Sequence, residues 1–119
     1  MKKINLVRDT YFSKKYYYYM DDGLAHPAMQ AGSEITFNLY TYVNNRGLYA
    51  TDPYISVTPG NPQYGIEVQP DIVNSAVKLI IDGSVAFQPG NYLGVLIVND
   101  PTITSPSLVD YFSIEVLNI

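Results

Sequence analysis

The sequence predicts an all-β chain folded as an antiparallel β-sandwich of about seven to eight strands. Three observations predict it. Tyr, Val, Ile, Thr and Phe abound, while clusters of Gly, Pro, Asn and Asp recur at short intervals. Apolar residues alternate with polar ones in run after run, the period of a strand with one buried face. Finally, Gln88-Pro89-Gly90-Asn91-Tyr92 sets a Pro-Gly turn and a Tyr at the head of the alternating run 93–98, one strand before the last.

Strands are expected near 4–8, 11–20, 34–43, 54–58, 64–69, 76–82, 91–99 and 108–118. The clearest is 34–42, where Ile35, Phe37 and Leu39 share one face. Val77, Leu79 and Ile81 do the same, as do Tyr92, Leu96 and Val98, with Gly94 between them. The last strand is expected to bury Phe112, Ile114 and Val116 and to expose Ser113 and Glu115. Gly94, inside an apolar strand, is read as the seat of an aromatic neighbour in preference to a bulge. Asp21-Asp22-Gly23, Asp82-Gly83 and Pro59-Gly60-Asn61-Pro62 mark turns. Residues 100–106 form an extended loop before the last strand, and 22–33 is the longest non-strand stretch, with room for one helical turn.

The 119 residues, without repeat or linker, read as one domain spanning 1–119. Residues 1–20 stand out as a basic, Tyr-rich N-terminal arm or strand pair. Lys2, Lys3, Arg8, Lys14 and Lys15 against Asp9 leave that segment at +4, whereas Arg46 and Lys78 against ten acids leave the rest at −8. Such an arm is suited to head-to-tail association or to being pinned on its own domain. The acidic body argues against nucleic acid as a partner. No apolar run approaches the roughly 20 residues of a membrane span. Arg8 and Asp9 interrupt the apolar stretch after Lys2-Lys3, so no cleaved signal peptide is expected. Zero cysteines exclude disulfides and thiolate metal sites, and with them favour synthesis and use in a cytoplasm.

No catalytic constellation emerges. His26 is the single histidine and lies in an expected loop, and the glycines follow no phosphate-cradling pattern. Asp21, Asp22, Asp52 and Asp100 fall in expected loops without calcium-loop spacing and are read as turn formers. Neither a metal nor a cofactor is expected. The unusual composition is aromatic: twelve Tyr, four Phe and no Trp. In Tyr16-Tyr17-Tyr18-Tyr19, alternation sends two rings to each face, so one pair meets solvent unless something covers it. Tyr offers a large, stiff contact area with a hydroxyl, and Lys14-Lys15 precede the run. Lys14, Lys15 and Tyr16 through Tyr19 are therefore the candidate partner-binding residues, with edge protection as the plainer role for the lysines.

At Pro89-Gly90-Asn91-Tyr92, with 77–81 before it and 111–116 closing the chain, the sequence resembles a bacterial or phage Ig-like module over residues 34–119. The stretch 32–92 is similar in outline to the small β-sandwich at the start of phage baseplate proteins. The resemblance implies a tyrosine corner, with the Tyr92 ring in the core and its hydroxyl tied to the turn backbone, making Pro89, Gly90 and Tyr92 structural. Lack of the Cys and Trp of antibody domains departs from the true immunoglobulin pattern. The expected role is a non-enzymatic virion component (capsid auxiliary, tail or baseplate), assembled in the host cytoplasm through contacts with other virion proteins or copies of itself. The alternative is a carbohydrate- or cell-surface-binding module, for which Tyr49, Tyr54 and Tyr64 are surplus loop tyrosines.

Overall fold

A computed structural model describes residues 2–7, 10–17, 33–42, 49–71, 74–82, 90–99, 101 and 107–117. These form eight strands: β1 (Lys2–Val7), β2 (Tyr11–Tyr17), β3 (Glu34–Thr41), β4 (Ile55–Val57), β5 (Ile66–Asp71), β6 (Ala76–Asp82), β7 (Gly90–Asn99) and β8 (Ser107–Leu117). One sheet has the order β1-β8-β7-β3-β4 and the other β2-β6-β5. This is the Ig-like arrangement: β3, β7 and β8 stand where strands C, F and G of an immunoglobulin domain stand, and β2, β6 and β5 follow the order of its strands B, E and D. One pair departs from the antiparallel expectation. β1 runs parallel to β8, Lys3 opposite Ser113 and Leu6 opposite Val116, because the chain crosses between sheets on its way from β1 to β2.

Alternation explains which side chains meet between the sheets. Ile35, Phe37 and Leu39 of β3, Leu96 and Val98 of β7, and Phe112 and Ile114 of β8 are buried on the inner face of the larger sheet. Ile66 and Val68 of β5 and Val77, Leu79 and Ile81 of β6 face them from the smaller. Each such side chain withdrawn from water contributes about 1.5–3 kcal/mol. Ile80 is buried as well, although alternation places it on the outer face, between Ser13 and Glu67 in register.

Gly94 pairs with Leu39 on one side and Phe112 on the other, and the rings of Phe37 and Phe112 fill the space its missing side chain leaves. The bulge lies further along, where Leu96 faces Asp110 and Ile97 faces Leu108. The skipped residue, Val109, packs against the core.

The segment after β4 makes two tight turns in succession. In Thr58-Pro59-Gly60-Asn61, the Asn61 N–H donates to the Thr58 carbonyl at 3.0 Å and Gly60 has φ +76°, a type II turn with Pro and Gly at their preferred positions. Gln63 and Ile66 then exchange backbone hydrogen bonds of 3.1 and 2.8 Å around Tyr64 (φ +51°) and Gly65 (φ +80°), a two-residue type I′ turn. The strand expected from residue 64 therefore begins at Ile66. The expected helical turn in 22–32, the Asp21-Asp22-Gly23 turn, Gly83 and the loop 102–106 lie outside the described residues.

Candidate functional site

β2 forms one edge of the three-stranded sheet, with β6 as its partner. Register opposite Val77 turns Tyr16 inward, where it is buried and stacks on Phe112 with centroids 5.4 Å apart. Burial pushes the Tyr16 hydroxyl up to about 12, and the nearby Asp110 carboxylate adds to the rise. Lys14 has the same inward parity but stays exposed, its Nζ 5.1 Å from the Tyr16 ring centroid. An inward-directed charge on an edge strand discourages a further strand from pairing there.

Tyr11, Ser13, Lys15 and Tyr17 alternate onto the outer face. Tyr11 is 63% and Tyr17 45% exposed. Lys15 reaches past β6 to place its Nζ 3.0 Å from Asp71 Oδ2 on β5. That hydrogen bond raises the Lys15 pKa, while donation from Asn74 first, and from Lys15 second, lowers that of Asp71. Lys3 likewise pairs with Glu115 at 2.7 Å. Two lysines of the basic N-terminal segment are thus engaged by acids of their own chain, in exposed pairs that water screens. Tyr18, Tyr19 and Pro89 lie outside the described residues.

Tyr92 opens the inner face of β7 and is buried, with its pKa raised by that burial and by Tyr54 beside it. Gly90 has φ +147°, a backbone conformation glycine adopts without penalty. The remainder of the turn before Gly90 lies outside the described residues, and with it the backbone the Tyr92 hydroxyl was expected to reach.

The loop tyrosines come together. Tyr54 stacks on Tyr92 at 6.3 Å and 28°, and Tyr64 stacks on Tyr54 at 6.4 Å and 22°. Tyr42 and Tyr49, joined by an isolated β-bridge, meet edge to face at 5.3 Å. Sequence reasoning marked Tyr49, Tyr54 and Tyr64 separately. What it missed is their partners Tyr42 and Tyr92 and the left-handed backbone of Tyr64. The signal available was the Tyr64-Gly65 pair between Gln63 and Ile66, a hairpin turn waiting for its second strand.

Beyond these surfaces, a cleft of about 390 Å³ opens between the start of β3 and Pro70, lined also by Glu34, Thr36, Thr58 and Pro59. The Ser33 hydroxyl at its wall is buried without a hydrogen-bond partner. Among the described residues no group of three or more His, Asp or Glu is placed to hold a metal ion, and no helix is long and apolar enough to cross a membrane. Asp52 is exposed, and His26, Asp21, Asp22 and Asp100 lie outside the described residues.

The strand order and core define the class: an Ig-like β-sandwich. No family model and no curated protein sequence matches the chain. Among solved structures it is similar to a family 123 glycoside hydrolase from Clostridium perfringens, described for glycolipid glycan hydrolysis, at 12% identity and a TM-score of 0.43. That match covers 100% of this chain and 23% of the hydrolase, a likeness too distant to bear on function.

Proposed function

We propose that the chain is a non-enzymatic assembly subunit, a bacteriophage virion component of the capsid-auxiliary, tail or baseplate kind. It acts through protein–protein contacts with copies of itself and with neighbouring virion proteins. The observation that carries this reading is the outer face of the three-stranded sheet, where β2 presents Tyr11 and Tyr17 to solvent on either side of Lys15. Half-exposed tyrosines on a rigid strand bring large contact area at small entropic cost, which is why interfaces are enriched in them. Lys15 and Asp71 supply both signs of charge beside the rings, so a partner surface can meet the patch with complementary groups.

Size-exclusion chromatography with light scattering tests the proposal on the whole chain and on Tyr11→Ser/Tyr17→Ser. The expected result is concentration-dependent association that the double variant loses while keeping its far-ultraviolet spectrum. A strict monomer at all concentrations, or association untouched by the double variant, would refute it.

A further inference from the structure

The Tyr64 turn points to a second binding surface. In a two-residue type I′ turn the first central position favours Asn, Asp or Gly, because the left-handed backbone crowds a Cβ. Here that position holds a Tyr at φ +51°. The surroundings over-determine it. Gln63 and Ile66 close the turn with two hydrogen bonds, and the Asp82 N–H donates to the Gly65 carbonyl at 2.8 Å. Tyr54, on which Tyr64 stacks, is itself fixed by its N–H donating to the Leu39 carbonyl at 2.7 Å and by the buried Tyr92 ring behind it. Strain kept in this way recurs where a side chain is being aimed at a ligand.

The product is a column of three rings running from core to surface: Tyr92 at 6% exposure, Tyr54 at 49% and Tyr64 at 53%. The segment that carries Tyr54 and Tyr64 is polar and almost uncharged. Residues 49–66 carry one charged side chain, Asp52, and no Lys or Arg. Asn61 and Gln63 lead into the turn, their amide groups 3.5 Å apart, and offer donors and acceptors together. Within this segment an anionic ligand would find no cation. A neutral pyranose ring fits the chemistry, since its C–H face packs on an aromatic face while its hydroxyls meet side-chain amides. Register separates this surface from Tyr17, although Tyr11 pairs with Asp82, whose N–H donates to the Gly65 carbonyl. Tyr17 pairs with Ala76 at the start of β6, whereas the Tyr64 turn leads into Ile66, opposite Ile81 near the end of β6.

We propose that Tyr64 and Tyr54, with Asn61 and Gln63, form a binding platform for neutral hexopyranosyl units of a glycan. The test is an array of neutral oligosaccharides built from hexoses and N-acetylhexosamines, with sialylated glycans and proline-rich peptides printed beside them, followed by calorimetric titration of the strongest neutral hit. Tyr64→Asn restores the ordinary turn residue while deleting the ring. It is expected to lose about tenfold or more in affinity while keeping or raising its unfolding midpoint, and Tyr64→Phe is expected to bind within a few-fold of the wild type. Association measured by light scattering is expected to be unchanged in Tyr64→Asn, so this proposal and the assembly reading fail separately. Absence of binding to every neutral glycan, binding only to the sialylated glycans or the peptides, binding unaffected by Tyr64→Asn, or a lowered midpoint in that variant would overturn it.

Discussion

Replacing Gly94 by alanine places a methyl group where two buried rings already meet. A Cβ built there lies 2.8 Å from Phe112 Cε2 and 3.0 Å from Phe37 Cζ, well inside the roughly 3.5–4.0 Å of an ordinary carbon contact. Neither ring has an easy retreat. Both are 0% exposed, and Phe112 is held between Phe37 at 6.1 Å and Tyr16 at 5.4 Å. Overpacking of this kind costs about 1–3 kcal/mol, against which the stiffer unfolded chain of an alanine returns about 0.4–1 kcal/mol. The net loss is about 1–2 kcal/mol, or roughly 4–10 °C in Tm for a domain of this size. Urea unfolding followed by tyrosine fluorescence measures it cleanly, because the chain has twelve Tyr and no Trp. The midpoint is expected to fall with the slope unchanged. Phe112→Leu in the same chain should recover part of the Gly94→Ala loss, a coupling that a double-mutant cycle reads directly. A Gly94→Ala protein as stable as the wild type would refute the packing argument at the centre of this core.

Further outcomes follow from other positions. Tyr92→Phe keeps the ring stacked against Tyr54 but deletes the hydroxyl, and should cost about 1 kcal/mol by chemical denaturation. Tyr16 stays protonated in the fold up to about pH 12, whereas in the unfolded chain it ionises near its ordinary value of 10.0. Its contribution is therefore fully present below pH 10 and is lost as pH rises from there to about 12, by up to about 2–3 kcal/mol. Tyr92 acts with the same sign, its pKa also being raised. Denaturation midpoints across that range should decline, and less steeply in Tyr16→Phe. Relief of the left-handed Tyr64 backbone by Tyr64→Asn should raise stability by about 1 kcal/mol, read by the same urea titration.

The strands were legible because each buries one face. Ile35-Phe37-Leu39 and Phe112-Ile114-Val116 carry period two openly, and Pro59-Gly60 announces its turn. The aromatic cover on Gly94 was legible for the same reason, since a missing side chain in an apolar strand must be filled from a neighbour. Two features of the fold were not. Parallel pairing of β1 with β8 joins opposite ends of the chain, and nothing local in Lys2–Val7 encodes the direction of a distant partner. The bulge at Leu96/Ile97 rests on how β8 must shift to bring Val109 inward, which alternation in either strand alone does not show. The candidate surfaces divide in the same way. Tyr16 in and Tyr17 out follow from alternation once β6 supplies the inner side. The Tyr92–Tyr54–Tyr64 column depends on three segments that only tertiary packing brings together.

Hydroxyl-radical footprinting of the tyrosines, compared between dilute and concentrated protein, tests the assembly role most directly. Tyr11 and Tyr17, exposed on the outer face of β2, should lose reactivity as the chain associates. Equal reactivity of Tyr11 and Tyr17 in both conditions, with association proceeding, would contradict the assembly face assigned to β2.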